Sequence, residues 1–193
     1  LISKHGADWF TEHSKLRPKV LVVSFHAEAH TRVAFLARLI LLKAAGGLAF
    51  SYHQFTRMHI QVARQLACDL AINEGYDVLI MLDDDATFPN DLIARLYRHQ
   101  KEVGTALAYQ RMVPYTPCIY ETNDEGMGMA LHGYERTGLR EIGASGLHCA
   151  MIKTSAIRKL REAKIHQHFG GFENKLGEDI AFPVAPETPV LGA

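Results

Sequence analysis

Between residues 20 and 109 the chain alternates short apolar runs with helix-forming segments, which restricts it to few architectures. Residues 20–25 and 77–82 are largely apolar and typical of buried strands, and a third apolar run covers 105–109. Helices are predicted over residues 31–43, 60–74 and 89 to about 101. This order predicts an α/β fold whose mostly parallel sheet is flanked by helices.

The spacing of apolar residues supports these helix predictions. Residues 31–43 have apolar residues at Val33, Leu36, Ile40 and Leu41. In 60–74 the residues that lie on one face, at spacings of three and four, are Ile60, Ala63, Ala67, Leu70 and Ala71. In the third helix the residues predicted to face inward are Leu92, Ile93 and Leu96.

From residue 111 onward, frequent glycine and proline separate short extended runs, which indicates a loop-rich, partly antiparallel region. Residues 147–153 predict another strand, and Thr154 is expected to cap a helix ending near residue 163. The proline-rich tail, 183–193, is expected to be irregular. The 193 residues fit one domain, 1–193, with halves at 20–110 and 111–182.

Composition excludes several classes of protein. Lys and Arg together number 21, as do Asp and Glu, so the chain lacks the basic excess of a general nucleic-acid binder. An apolar content of 48% excludes disorder of the whole chain. Three widely spaced cysteines match no zinc pattern, and the charged residues and glycines within 33–50 argue against a transmembrane segment. With no signal peptide visible, a cytoplasmic location is expected.

Three consecutive aspartates, Asp83, Asp84 and Asp85, follow the predicted strand 77–82 directly. Alternate residues of a strand point to opposite faces, so Asp83 and Asp85 should share a side. Two such carboxylates suit Mg²⁺ or Mn²⁺, and ligands of open α/β sheets bind beyond the carboxyl ends of the strands. The alternative is that these are solvated loop acids ahead of a helix N-terminus.

Five segments occur in a characteristic order: residues 20–24, 62–67, 79–85, 143–146 and 177–179. Together with 88–120, they resemble the family 2 glycosyltransferases of GT-A fold, particularly small phage and prokaryotic members. The resemblance implies a metal-dependent, inverting transfer of a sugar from a nucleoside-diphosphate sugar, with UDP as the default nucleotide. It implies Mn²⁺ or Mg²⁺ as cofactor, and leaves a glycan, lipid or protein as the acceptor.

The resemblance also implies a role for individual residues. Asp83 and Asp85 would bind the metal and diphosphate, and Gly143, Ser145 and Gly146 would line the donor and acceptor pocket. The proposed nucleotide-side contacts are Ser24, His26, Glu28, Arg64 and Asp84. Arg111 is a candidate ligand for phosphate or acceptor. Asp179 would be the general base that takes the acceptor proton, with Glu178 as the alternative base.

Each of these residues also has a structural explanation. Arg64 could be an exposed helix arginine, His26 a satisfied histidine at a strand end, and the two glycines parts of a tight turn. Asp179 could be an acid at a helix N-terminus. Gln65 replaces the family's usual Asn, and the late metal-binding His is absent unless His166 or His168 replaces it, as in a shortened or truncated member.

Three other functions stay open at this point. Residues 83–87, Asp-Asp-Asp-Ala-Thr, fit the nucleophile motif of haloacid-dehalogenase-type phosphatases, although that motif normally follows the first strand. A nucleotidyltransferase is disfavoured because 25–31 contains no glycine or lysine. A truncated module that binds a nucleotide sugar without turnover is the third.

Overall fold

The computed structural model of this chain describes residues 17–27, 32–45, 48–110, 113–122, 128–131, 138–163 and 189–191. Its helices are α1 (Val33–Ala45), α2 (Ile60–Asn73), α3 (Leu92–Tyr97) and α4 (Thr154–Glu162). Its first strands are β1 (Val20–His26), β2 (Phe50–Thr56), β3 (Val78–Asp83), β4 (Val103–Ala106) and β5 (Ile119–Thr122). The later strands are β6 (Gly128–Ala130), β7 (Leu139–Glu141), β8 (Ala144–Ser145), β9 (Cys149–Lys153) and β10 (Pro189–Leu191).

The main sheet has the strand order β2-β1-β3-β9-β4-β10-β7. β2, β1, β3, β4 and β10 run in one direction, whereas β9 and β7 run against it. A second, small antiparallel sheet has the order β6-β5-β8. The predicted fold class, a mostly parallel sheet flanked by helices with a smaller antiparallel region, is therefore confirmed.

The centre of the main sheet is buried on both faces because β1 and β3 are apolar at nearly every position. Val20 and Val22 of β1 face the cluster that contains Phe35 of α1. Leu21 and Val23 face the opposite cluster, which contains residues of α2 and α4. Burial on both faces places the polar residues of β1 and β3 at the ends of the strands, where a site can form.

The apolar residues that indicated helix α1 are not the ones that pack against the sheet. Phe35, Leu39 and Leu42 are buried, whereas Val33 is 83% exposed and Ile40 is 59% exposed. The helix is apolar around most of its circumference, so the spacing of apolar residues did not single out the packed side.

Two strands lie where none was predicted. β2 forms the edge of the main sheet, and its alternating polar residues hide the strand pattern. β10, within the supposedly irregular tail, pairs parallel with β4 and antiparallel with β7. Its pairing depends on strands distant in sequence, which local composition does not reveal.

Two helix predictions also need correction. α3 covers six residues, fewer than the predicted helix from 89 to about 101. Thr154 is the first residue of α4 rather than its cap, and the N-cap position is taken by Lys153. The Thr154 hydroxyl donates instead to the carbonyl oxygen of Tyr76, 2.7 Å away, and so links α4 to the loop that precedes β3.

Candidate functional site

The polar residues of the site lie where β1 and β3 end side by side. The two strands are parallel, and Phe25 is in register with Asp83. The Asp83 amide donates to the carbonyl oxygen of His148 at 2.9 Å, and the Ala86 amide donates back to the Asp83 carbonyl at 3.1 Å. This turn brings the aspartates to the carboxyl-terminal edge of the sheet, where ligands of such folds bind.

A cavity of about 680 Å³ opens at this edge, within the range of small-molecule sites. Asp83 and Asp85 both line it. Its other polar and charged lining residues include Thr87, Arg95, Arg98, Tyr109, Gln110 and His148. Its apolar lining residues include Phe88, Leu92, Leu96, Leu107 and Cys118.

Asp84 lies in the turn that directly follows β3. Its Oδ2 atom lies 3.3 Å from His26 Nδ1 and 3.5 Å from Arg32 Nε. Asp84 is thus held by two basic side chains and is not part of the cavity lining. The triplet therefore divides into two residues that line the cavity and one that contacts His26 and Arg32.

Arg64 is a buried residue of α2, only 2% exposed, so the alternative of an exposed helix arginine is wrong. Its Nη2 atom lies 3.4 Å from Asp83 Oδ1, and its guanidinium carbon lies 5.6 Å from the centre of the Phe25 ring. A buried guanidinium needs such an anionic partner because desolvation of a cation is costly. Arg64 therefore ties α2 to one of the two cavity carboxylates.

Ser24 and His26 form a buried polar group with Tyr52 of β2. Ser24 Oγ lies 2.7 Å from His26 Nε2 and 2.6 Å from the Tyr52 hydroxyl. Burial lowers the pKa of His26, while the neighbouring Asp84 opposes this shift. Burial also raises the pKa of Tyr52. Ser24 and His26 are buried, and their contacts with Tyr52 and Asp84 link the end of β1 to β2 and to the turn after β3.

The glycine-containing segment contributes one residue to the cavity lining. Gly146 lines the cavity, and a Cβ atom there would lie 3.2 Å from His148 Nδ1. Ser145 is buried, and its hydroxyl donates to the Cys118 carbonyl oxygen at 3.2 Å. The Gly143 amide donates to the carbonyl oxygen of Tyr120 at 2.9 Å. Gly143 and Ser145 thus join the small sheet to the cavity wall without lining it.

Several predicted site residues lie outside the part of the chain that the structure describes. They are Glu28, Arg111, Glu178 and Asp179, together with His166 and His168. Their roles stay predictions from the sequence.

His148 is a cavity residue that sequence reasoning missed. It directly precedes β9, whose antiparallel direction brings it beside the end of β3, and its Nε2 lies 3.0 Å from the Ala106 carbonyl oxygen. Arg95 and Arg98, at α3, were missed as well. Nothing in the local sequence shows that β9 runs against its neighbours, so no signal placed His148 beside the end of β3.

The fit of the cavity carboxylates to a metal ion can be tested on their chemistry. Mg²⁺ and Mn²⁺ prefer oxygen ligands, and Mg²⁺ is commonly held by one or two carboxylates together with substrate phosphates. Asp83 and Asp85 supply two such carboxylates. Among the described residues, no three His, Cys, Asp or Glu side chains gather in a metal-binding arrangement. The residues fit an ion whose remaining ligands are water and phosphate.

The three cysteines have different surroundings. Burial raises the pKa of the Cys68 thiol, and burial together with Asp83 raises that of Cys149 to about 12. Cys118 is half-buried and lines the cavity.

None of the helices within the described ranges is long and apolar enough to span a bilayer.

Comparison with known proteins finds likeness in structure but not in sequence. No protein-family model and no curated protein sequence matches the chain. The crystal structure of A197 from STIV matches with a TM-score of 0.58 and 18% identity, over 90% of this chain and 82% of that one. A 4-diphosphocytidyl-2C-methyl-D-erythritol synthase from Anaerococcus prevotii matches with a TM-score of 0.50 and 8% identity, over 90% and 88%. At these identities the comparisons establish that the chain shares an α/β fold with these proteins.

Proposed function

We propose that this protein is a metal-dependent glycosyltransferase that moves a sugar from a nucleoside-diphosphate sugar to an acceptor hydroxyl. The observation that carries the proposal is the placement of Asp83 and Asp85 on one cavity of about 680 Å³, at the carboxyl ends of parallel strands. Two carboxylates in this position suit a divalent cation that binds a diphosphate. The sequence resemblance names glycosyl transfer as the reaction.

The synthase with a similar fold supports the nucleotide part of the proposal. Its name describes a diphosphocytidyl product, which contains a nucleoside diphosphate. UDP is the first nucleotide to test on this chain. The cytoplasm is the proposed location.

In the proposed reaction the acceptor oxygen forms a bond to the anomeric carbon of the donor sugar while the bond from that carbon to the diphosphate breaks. Asp179 takes the acceptor proton, and Glu178 is the alternative base. Asp83 and Asp85 would hold Mn²⁺ or Mg²⁺, which stabilises the negative charge of the departing diphosphate. Arg64 holds Asp83 in position, and Gly146 leaves room beside His148 on the cavity wall.

The position of the acidic motif argues against the phosphatase alternative. In haloacid-dehalogenase-type enzymes the nucleophilic Asp normally follows the first strand. Here Asp83 ends β3, after two other strands, and its carboxylate faces the buried cation of Arg64. Phosphate release from a phosphate ester, with trapping of a phosphoaspartate analogue at Asp83, would favour it.

The proposed function is tested by thermal unfolding with UDP, GDP or buffer, each with and without Mn²⁺. A ligand at 100 times its dissociation constant stabilises the folded state by about 2.7 kcal/mol, which raises the melting temperature of a chain this size by about 5–10 °C. We expect a shift that requires both nucleotide and metal, that Asp85→Asn abolishes, and that the exposed-acid control Glu162→Gln retains.

Other outcomes would contradict parts of the proposal. No shift with either nucleotide would exclude UDP-sugars and GDP-sugars as donors. A shift that is equal without metal, or equal in Asp85→Asn, would remove the metal assignment. Binding with no turnover of any UDP-sugar would instead support the binding module.

A further inference from the structure

Helix α1 presents apolar side chains on two opposite sides, one buried and the other exposed in the part of the chain that the structure describes. Phe35 and Leu39 are buried against the sheet. On the outward side Val33 is 83% exposed and Ile40 is 59% exposed, and Leu36 is exposed as well. A helix that is apolar all round normally has its outer side covered too.

Cations border this outward stripe along both edges. At 100° per residue, Val33 and Ile40 lie near the middle of the exposed arc, 20° apart. Arg32, just before α1, and Lys43 fall at one edge of the arc, and Arg38 falls at the other. The smaller residues exposed within the arc are Ala34, Ala37 and Ala44. The outer side is therefore an apolar stripe with two cations at one edge and one cation at the other.

The charge on this segment has one sign. Residues 32–45 contain three cations and no acid, although the whole chain has a formal net charge of zero. Long basic side chains beside an apolar stripe can extend to anionic groups while their methylenes cover apolar surface. The chemistry of this face is complementary to an apolar surface that carries negative charge.

We propose that α1 is an interfacial helix that binds the surface of an anionic lipid bilayer. Val33, Leu36 and Ile40 would enter the boundary between headgroups and acyl chains, and Arg38 and Lys43 would contact the anionic headgroups. Arg32 would contribute less, because its Nε atom lies 3.5 Å from Asp84 Oδ2. The helix has 13 residues, so it would lie along the surface. This proposal does not depend on the reaction that the cavity catalyses.

A second copy of the chain is a poorer occupant of the same face. Two copies of α1 related by a two-fold axis would bring their basic edges together. With no acid in 32–45, the helices themselves offer no ion pair to offset that repulsion. Charge complementarity thus favours the lipid surface.

The test is co-sedimentation of the full chain with vesicles of phosphatidylcholine alone or with one third phosphatidylglycerol. We expect binding only to the anionic vesicles, and weaker binding at higher salt. Ile40→Glu should reduce binding more than tenfold. Arg38→Gln should reduce it about fivefold, as expected for the loss of one surface cation. Val62→Glu is the matched control because Val62 is exposed on α2, on the other side of the sheet, and it should bind like the wild type.

Circular dichroism of each variant separates lost binding from lost folding. No binding of the folded wild type to anionic vesicles would overturn the proposal, as would equal binding to neutral vesicles or an equal loss in Val62→Glu. A dimer in light scattering that Ile40→Glu dissociates, with no vesicle binding, would assign the face to a second copy instead.

Discussion

The guanidinium of Arg64 approaches Asp83 from the buried side, with Nη2 3.4 Å from Oδ1. Asp83 therefore has two neighbourhoods, a buried cation on one side and the open cavity on the other. Asp85 lines the same cavity and is exposed. The two carboxylates are equivalent in the sequence pattern but differ in what each contributes to the fold.

This difference predicts a separation of stability from binding. Asp83→Asn removes the negative charge that faces a buried guanidinium, so the free energy of unfolding should fall by about 1–2 kcal/mol. Asp85→Asn should change it by less than about 0.5 kcal/mol, as is usual for exposed residues. Both variants should lose metal-dependent nucleotide binding. Urea unfolding and nucleotide titration measure the two effects, and an equal loss of stability in both variants would contradict the role of Arg64.

The proposed general base gives a kinetic prediction. Asp179→Asn should leave the affinity for the donor unchanged and reduce the transfer rate by a factor of about 100 or more, since general-base catalysis contributes that much. Titration measures the affinity for the donor, and release of the nucleoside diphosphate measures the transfer rate. Full activity in Asp179→Asn, with activity lost in Glu178→Gln, would move the base to Glu178.

The buried group around Ser24 gives a prediction about stability. Ser24→Ala removes the hydroxyl that lies within hydrogen-bond distance of both His26 and Tyr52. The His26 ring nitrogen and the Tyr52 hydroxyl would then lack this partner, and the free energy of unfolding should fall by about 1–3 kcal/mol. Ser51→Ala, at an exposed position of β2, is the control and should be near neutral. Urea unfolding compares the two, and equal midpoints would show that the contact contributes nothing.

His26 gives a prediction about pH. Burial holds its pKa below the ordinary value of 6.5, so between the folded-state pKa and 6.5 the unfolded chain binds more protons than the folded one. The free energy of unfolding should therefore fall as the pH drops through and below about 6.5. His26→Gln should flatten this dependence, and the exposed-residue control His53→Gln should retain it. An unchanged slope in His26→Gln, measured by urea unfolding between pH 5 and 7.5, would contradict the prediction.

Thr154 joins α4 to the loop before β3 through a buried hydroxyl. Thr154→Val keeps the shape of the side chain but leaves the Tyr76 carbonyl without this donor, at a cost of about 1–2 kcal/mol. Ser155→Ala, one residue later and exposed, should cost far less. Thermal unfolding measures the stability of the two variants. An equal loss of stability in both would contradict the role of the Thr154 hydroxyl.

The sheet was predictable where local pattern determined it. The apolar runs that became β1 and β3 are buried strands, because a run of Val, Leu and Ile between turn residues has few other stable conformations. The placement of Asp83 at the edge of the sheet followed from that, since the acidic triplet directly follows the run. The class of fold was therefore accessible from sequence.

Features that depend on distant parts of the chain were not predictable. Arg64 is buried because Asp83 and the Phe25 ring lie beside it, and neither neighbour is close in sequence. His148 lines the cavity because β9 inserts antiparallel between β3 and β4, a direction that its own residues do not encode. Much of the cavity wall thus comes from pairing that only the folded chain shows.

The half-buried Cys118 on the cavity wall offers a site for chemical labelling inside the cavity. Thiolate is the reactive form of cysteine, and burial suppresses it at Cys68 and Cys149. A small alkylating reagent near neutral pH should therefore label Cys118 first. A ligand bound in the cavity should slow that labelling, so candidate donors and acceptors could be ranked by the protection they give before any product is known.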